Sequence, residues 1–525
     1  MDNQVQGIMS IAKRKRAPTP IYVSPNQLSL DAFASPFATQ LKSTNRWVVL
    51  GDLIPWDEIC GTYLKHVGIN NTGRPPLSPR VVIGSLIIKH MMNLDDREVV
   101  DQISENMYMQ YFLGYPSFSV EPPFDPSLFV EFRKKLGVDQ INAINEKIIS
   151  LKTHFETPKK ESKPTDSNDA GENSSENANR GRVIYDATAC PQDIAYPTDL
   201  NLLSDAREKS EQLIDILYDP AIHTKKPRTY RKVARKKYLH TAQKKNKSRK
   251  AIRSAVGSQL RFLNRNLKSI NKLLNSFSSV SIPLEKRDFK YLLVINFLYQ
   301  QQKEMYDEHK HTIEDRIVSI HQPHVRPIVR GKTTAKVEFG AKIHVSIIDG
   351  ISFLDEISWD AFNEGSHMVE YVEKYKIRFG CYPRELLADK IYCTRFNRSW
   401  LKEKGIKLIA KPLGRPSAVQ NHVSPGERNP IEGKFGQAKT AYGLDRIKAK
   451  LRNTSESWIA SIILVLNLVK LAGAALPCAL LKWWNSFSAR SVKMDKNQIA
   501  EEIIQMCYIS ANSLNLATFP EKSKN

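Results

Sequence analysis

The sequence predicts an α/β protein: a layered α/β catalytic domain carrying a basic insertion, preceded by a small helical N-terminal domain. Three observations predict it. Short apolar runs, some with period-two alternation, recur between residues 182 and 410 with helical patterns between them. Between Asp219 and Glu285 there is no acidic residue, while Lys and Arg are dense, most of all from Lys225 to Lys250. Residues 46–155 read as several short helices with recognisable start and stop signals.

The helical domain is assigned to 1–156. Residues 1–45 show no periodic pattern. Ser78 followed by Pro79 is an N-cap with Pro at the first helical position, and the apolar segment Val81 to Met92 follows. Asp95 with Glu98 has capping-box spacing. Asp125-Pro126 opens a helix that runs through Leu128, Phe129, Phe132 and Leu136 and stops at Gly137. In a basic chain such a bundle suits DNA binding; helical packing or dimerisation is the alternative, because no recognition helix stands out. Residues 157–181 contain almost nothing apolar and predict a flexible linker.

The catalytic domain is assigned to 182–480, with a tail over 481–525. It opens on Val183-Ile184-Tyr185, an apolar run ending at Asp186. A helix is expected from Ser204 to about Leu217, then the basic insertion 222–284, whose later half (Leu260, Leu263, Leu267, Ile270, Leu274) has helical spacing. Phe339, Ala341, Ile343, Val345 and Ile347 alternate along a strand, Asp349-Gly350 is a hairpin turn, and Ile351 to Ile357 returns as a second strand. A helix over 365–379, a strand Glu385 to Asp389, a helix over 398–404, a strand over 407–410, a helix at Glu432 and an apolar helix near 456–475 complete the domain. That order is the order of a ribonuclease-H-like domain, in which active sites lie at strand ends.

A chain of 525 residues exceeds the usual single-core size. Its 78 Lys and Arg against 55 Asp and Glu give a net charge of +23, which predicts a polyanionic partner, double-stranded DNA above all. The six cysteines form no CxxC pair, so neither a zinc ribbon nor a disulfide framework is indicated, and a reducing cytoplasm fits. The N-terminus has no apolar signal core. The run Ile462 to Leu481 is interrupted by Asn467, Lys470 and Pro477, and predicts a buried helix ending before Pro477 and no membrane partner. No Gly-rich phosphate loop is present, and His321 and His324 lack a third partner at ligand spacing.

Three acids carry the chemistry: Asp186, Asp389 and Glu432. Asp389 ends the run Leu386-Leu387-Ala388, and Glu432 sits where a helix begins. Each alone has a plain structural reading. Asp186 could cap the turn before Pro191, Asp389 could cap the element after its strand, and Asn429-Pro430-Ile431-Glu432 has capping-box spacing. Together, two Asp at strand ends and a Glu on a following helix can meet. Convergent carboxylates hold hard divalent cations, and a pair of such cations serves in-line attack on phosphodiesters.

The surrounding text resembles a known family. Asp186 stands in Asp-Ala-Thr-Ala-Cys-Pro, with Tyr-Pro-Thr-Asp-Leu soon after. Asp389 stands in Leu-Ala-Asp-Lys-Ile-Tyr. Arg428, Glu432 and Lys439 precede Tyr442-Gly443-Leu444. This looks like the bacterial insertion-sequence transposases of the DDE type, in the subgroup with an Arg-Glu-Lys signature around the third acid. Gly73-Arg74-Pro75-Pro76 with Asp125 to Arg133 is similar to that subgroup's N-terminal domain. Where the family often has a Tyr three residues before the Arg, this chain has Pro425, so no role of that Tyr carries over.

The resemblance implies a transposase that binds the ends of its element and catalyses metal-dependent cleavage and strand transfer, as a homodimer on terminal repeats and target DNA, in the bacterial cytoplasm at the nucleoid. A nuclease of the same fold and a domesticated, non-catalytic DNA-binding protein are the alternatives. Asp186, Asp389 and Glu432 would hold two Mg²⁺, for which Mn²⁺ may substitute. Arg428 would bind a phosphate bidentately, and Lys439, two turns beyond Glu432 on the same face, would contact the element's end. Lys225, Lys226, Arg231, Lys232, Arg235, Lys236 and Lys237 would contact the duplex backbone, with Tyr230 and Tyr238 interleaved.

Overall fold

The computed structural model describes residues 41–67, 76–155, 179–277, 282–329, 337–410 and 428–490. Most of the linker predicted over 157–181, Gly73 to Pro75, Pro425 and most of the tail lie outside them.

Among the described residues seven helices come first: α1 (Arg46–Leu53), α2 (Trp56–Val67), α3 (Pro79–Met92), α4 (Asp96–Glu105), α5 (Met107–Phe112), α6 (Leu128–Lys135) and α7 (Val138–Phe155). Their starts follow from the sequence. Asp95 Oδ1 accepts from Arg97 N and Glu98 N while Glu98 Oε2 accepts from Asp95 N, a complete capping box. Helix α3 is apolar all round and is buried on all sides. Its two buried cations are satisfied differently. Arg80 donates to Phe112 O and lies over the Trp56 ring. Lys89 meets Asp96 at 2.9 Å, and Arg133 from α6 grips the same carboxylate with two 2.9 Å hydrogen bonds. One acid thereby ties α3, α4 and α6 together.

Among the described residues the sheet has six strands: β1 (Arg182–Pro191), β2 (Arg326–Val329), β3 (Val337–Ile348), β4 (Ile351–Ser358), β5 (Glu385–Leu387) and β6 (Lys407–Ile409). β3 lies antiparallel to β1 on one side and pairs β2 and β4 on the other. β5 is parallel to β1, and β6 is parallel to β5. The hairpin turn falls where expected, with Asp349 and Gly350 both at positive φ. Gly340 permits the close β1–β3 approach, since a Cβ there would collide with the Cys190 carbonyl. Helices α12 (Met368–Phe379), α13 (Arg395–Glu403), α14 (Asn429–Tyr442) and α15 (Arg452–Arg490) complete this body.

Several boundaries differ from the sequence reading. β1 does not end at Asp186; the small residues Ala187 to Cys190 extend its pairing with β3 as far as Pro191. The helix expected from Ser204 starts at Asp199, because the Thr198 side chain caps it by accepting from Asn201 N. α15 passes through Pro477, which removes one amide donor without ending the helix. Its window Arg452–Gly473 has the length and apolarity of a membrane span but is 72% buried inside the protein.

The helical segment between β1 and β2 is larger than the basic stretch. It comprises α8 (Asp199–Leu217), α9 (Arg231–Ala242), α10 (Arg249–Asn275) and α11 (Lys286–Asp307) around a core of its own. By contrast, α1–α7 share one continuous core with the sheet and α15. Asn467 of α15 donates to Asn145 of α7 and to Ser352 of β4, and Asn145 also donates to Ser352 O. Proteolysis should begin within 157–181, where composition cannot support a core. The two fragments should then co-elute in native gel filtration. Separation without denaturant would contradict a shared core.

Candidate active site and basic face

Asp186 lies on β1 two residues beyond the last β1–β5 pair, and Asp389 lies two residues beyond the end of β5. Because these strands are parallel neighbours, both carboxylates emerge at the same end of the sheet. The Arg428 guanidinium bridges them, with Nη2 3.3 Å from Asp186 Oδ2 and Nη1 3.2 Å from Asp389 Oδ1. Each acid also accepts from a backbone amide: Asp186 Oδ1 from Ala187 N, and Asp389 Oδ1 from Lys390 N. The capping reading of Asp389 therefore holds alongside its place in the site, as it starts the 3-10 turn Lys390–Tyr392.

That turn is held from behind. Asn397 Nδ2 donates to Tyr392 O at 2.9 Å and to Gly365 O at 2.7 Å. Gly365 packs so closely on Ile391 that a Cβ would strike its carbonyl oxygen. Beneath Asp186, Tyr185 is fully buried among Tyr371, Tyr392 and His344, and His344 pairs with Asp355, itself bound to Arg378 at 2.8 Å. The floor of the site is thus closely packed.

Burial pushes the Asp186 carboxyl up to about 6. The Ala187 amide and Arg428 pull it down, while Glu364 and Asp389 push it further up. Glu364 is an acid that the sequence reading missed. It lies in a short 3-10 turn with no apolar run before it, so no strand-end signal marks it, and it meets Lys342 at 2.6 Å.

Glu432 occupies the first turn of α14, one turn after Arg428, and is exposed. It does not join the Asp pair: among the described residues no three His, Cys, Asp or Glu side chains are grouped to hold a metal ion. Its capping-box alternative is not realised either, since Arg428 and not Asn429 precedes the helix, with no side-chain cap. The donor set that does converge is all carboxylate oxygen, suited to a hard cation. The two carboxylates that flank the Arg428 guanidinium offer oxygen donors of the kind a divalent cation takes, and Glu432 lies one turn along α14 from Arg428. Lys439 lies on α14 on the same side as Glu432.

The seven basic residues of the insertion divide into two sets. Lys226 and Arg231 both bind Asp215, each at 2.8 Å. This acid lies just before the acid-free stretch, which is why sequence alone did not reveal the pairing. Lys225, Lys232, Arg235, Lys236 and Lys237 are exposed. Lys232, Arg235 and Lys236 line an open 440 Å³ groove along α9 with Leu239, His240 and Gln243. Arg265 and Arg228 stand over the Tyr230 ring, which stays 42% exposed, and Tyr238 donates to Asn201, so Tyr238 is a packing residue. His321 pairs with the Tyr291 hydroxyl, and His324 stands edge-on to Trp359; neither faces a ligand set.

Residues 386–469 match the family described as Transposase DDE domain. Residues 36–135 match the family described as Transposase domain (DUF772). The two matches support an insertion-sequence transposase of the DDE type. The first contains Asp389, Arg428, Glu432 and Lys439. The chain is also 31% identical over 158 residues to a Rhizobium meliloti protein named "Uncharacterized protein ORF8 in nfe locus". That alignment covers 30% of this chain and 66% of the relative, just under two thirds of its length. No solved structure matches the chain.

Proposed function

We propose that this protein is a transposase of the Arg-Glu-Lys subgroup that cleaves DNA at the ends of its own element and joins the freed 3′ ends to target DNA. The observation that carries the reading is the convergence of Asp186 and Asp389, from neighbouring parallel strands, on Arg428. The sheet supports a ribonuclease-H-like fold: three antiparallel strands continue into two that run parallel to the first.

When bound, two divalent cations held by Asp186, Asp389 and Glu432, Mg²⁺ in the cell, would supply activation of the attacking oxygen and stabilisation of the leaving one. The chain's own groups do the rest. Asp186 must shed its proton to act as a ligand, and its burial sets that step near neutrality. Arg428 is held by carboxylates that a cation would neutralise, which frees its planar fork for a non-bridging phosphate oxygen. Lys439 extends the same helix face toward the DNA. The buried Tyr185–His344–Asp355 floor keeps the acids from shifting. A DNA substrate places the work in the cytoplasm, at the nucleoid.

The exposed basic face of α9 would bind duplex phosphates without reading bases. Replacing Lys232, Arg235 and Lys236 together by Gln should weaken binding to end-containing and unrelated duplexes alike. The slope of log affinity against log salt should flatten by about 0.9 for each phosphate that the variant no longer neutralises. The matching variant of Lys226 and Arg231 should change the slope less, because the one Asp215 carboxylate already offsets part of their charge. A salt titration with equal slopes for wild type and the α9 variant would remove this face from the DNA interface.

The proposal is tested by incubating the protein with Mg²⁺ and DNA carrying its element's ends, and sequencing the products. Cuts at the element boundary followed by joined products are expected. Cleavage without joining would favour the nuclease reading, and binding without cleavage a domesticated protein.

A further inference from the structure

Helix α11 buries one face and leaves another bare. Leu292, Ile295, Leu298 and Met305 pack into the core of the insertion. On the opposite face Phe289, Leu293 and Phe297 recur at intervals of one helical turn and are 39%, 59% and 59% exposed. Three large apolar side chains in one stripe are unusual on a surface that need not meet anything. The same face continues into exposed Lys286 and Lys290 toward the start of the helix, and into exposed Glu304 and Asp307 toward its end.

We infer that this face is a contact between two copies of the chain, with the two α11 helices packed antiparallel. The charges decide the partner. Asp307 is ion-paired with Lys303 on the same helix, so with Glu304 this end of the face carries no net positive charge for a duplex, and the apolar centre offers phosphates nothing. A second copy is complementary to the stripe as it stands. With the two-fold axis level with Ile295, Leu293 meets the partner copy's Phe297 position, Lys286 meets the Glu304 position, and Phe289 stands level with the Gln301 position. A parallel pairing would set Lys286 against Lys286 and Glu304 against Glu304. The apolar stripe is about 12 Å long at 1.5 Å per residue, and about 27 Å with Lys286 and Glu304 included. One helix pair falls below the roughly 1,200 Å² of a standard stable interface, so association of the free protein is weak. It strengthens when both copies hold one piece of DNA. The inference stands on α11 alone and does not require the catalytic reading.

The test uses the full-length protein without DNA. Lys286→Cys, Glu304→Cys and the double variant are oxidised mildly and run on a non-reducing gel. The antiparallel contact predicts a covalent dimer in the double variant at several times the yield of either single variant. No dimer above the background of the native cysteines would overturn the contact, and a dimer from Lys286→Cys alone would overturn its antiparallel sense. Sedimentation adds an independent readout. Lys286→Glu and Glu304→Lys should each weaken self-association at least about tenfold, and combining them in one chain should restore it. Phe297→Ser should weaken it without restoration by either. Because all these side chains are exposed, circular dichroism should match wild type. Unchanged sedimentation in every variant would show that the stripe is covered within one chain or not at all.

Discussion

Asp186→Asn and Asp389→Asn are each expected to reduce DNA cleavage by more than about 100-fold, beyond the usual cost of losing an outer-shell partner of a metal ligand. DNA binding should be largely kept, because affinity comes from the basic face. Glu432→Gln should match them, although Glu432 stands apart from the pair. Its exposure makes that substitution structurally cheap, so any loss reports function. Asp186→Asn should also reveal a cost that wild type carries for its site. Burial raises the Asp186 carboxyl to about 6, above the 3.9 typical of an unfolded chain. The ionised form is therefore disfavoured by folding. That penalty is complete above pH 6, declines as pH falls, and is gone below about 4. Without divalent cation, Asp186→Asn should melt higher than wild type at pH 7.5, and the difference should close toward pH 4. Thermal melts at both pH values check this. A variant that melts lower at pH 7.5 would show that the charge is needed for folding.

The second large effect concerns stability. Asp96→Ala leaves Lys89 and Arg133, 1% and 4% exposed, without their shared carboxylate. Stranding buried charge typically costs about 3–5 kcal/mol. Partial neutralisation of Lys89 softens it, since burial already lowers the Lys89 ammonium below its usual range. For Asp96 burial opposes ionisation, but hydrogen bonds and charge from Arg133 and Lys89 outweigh it and hold the carboxyl low. The stabilisation is therefore present above about pH 4 and is lost as pH falls further. Urea denaturation at pH 7 should show the full loss. Because α1–α7 share their core with the sheet, the whole body and not the N-terminal helices alone should unfold earlier. An unchanged midpoint would mean that solvent takes over the role of Asp96.

Five of the six described strands and the hairpin were legible because apolar runs, β-alternation and the Asp349-Gly350 turn are local signals; β2 was not, because its four residues Arg326–Val329 include Pro327 and carry no alternation. The capping box at Asp95 was legible for the same reason. Features that depend on tertiary pairing were not. The end of β1 was misread because Ala187 to Cys190 are small and weakly patterned, and only pairing with β3 extends the strand. The full size of the insertion was hidden because charge marked only α9 and α10, while α11 has apolar residues on both its faces. At the site, the sequence singled out Asp186 and Asp389 by the apolar runs before them. It did not place Arg428 between them, and it missed Glu364, whose influence arises only from a turn folded against Ile391. The pairing of Lys226 and Arg231 with Asp215 was missed because the partner lies outside the acid-free stretch.

The central claim is that Asp186 and Asp389 form a divalent-cation site that Arg428 vacates. It is tested most directly by isothermal titration of Mn²⁺ into protein without DNA, comparing wild type, Asp186→Asn/Asp389→Asn and Arg428→Ala. Wild type should bind Mn²⁺, the double variant should lose that binding, and Arg428→Ala should bind at least as tightly as wild type because the competing guanidinium is gone. Equal Mn²⁺ binding by wild type and the double variant would contradict the account.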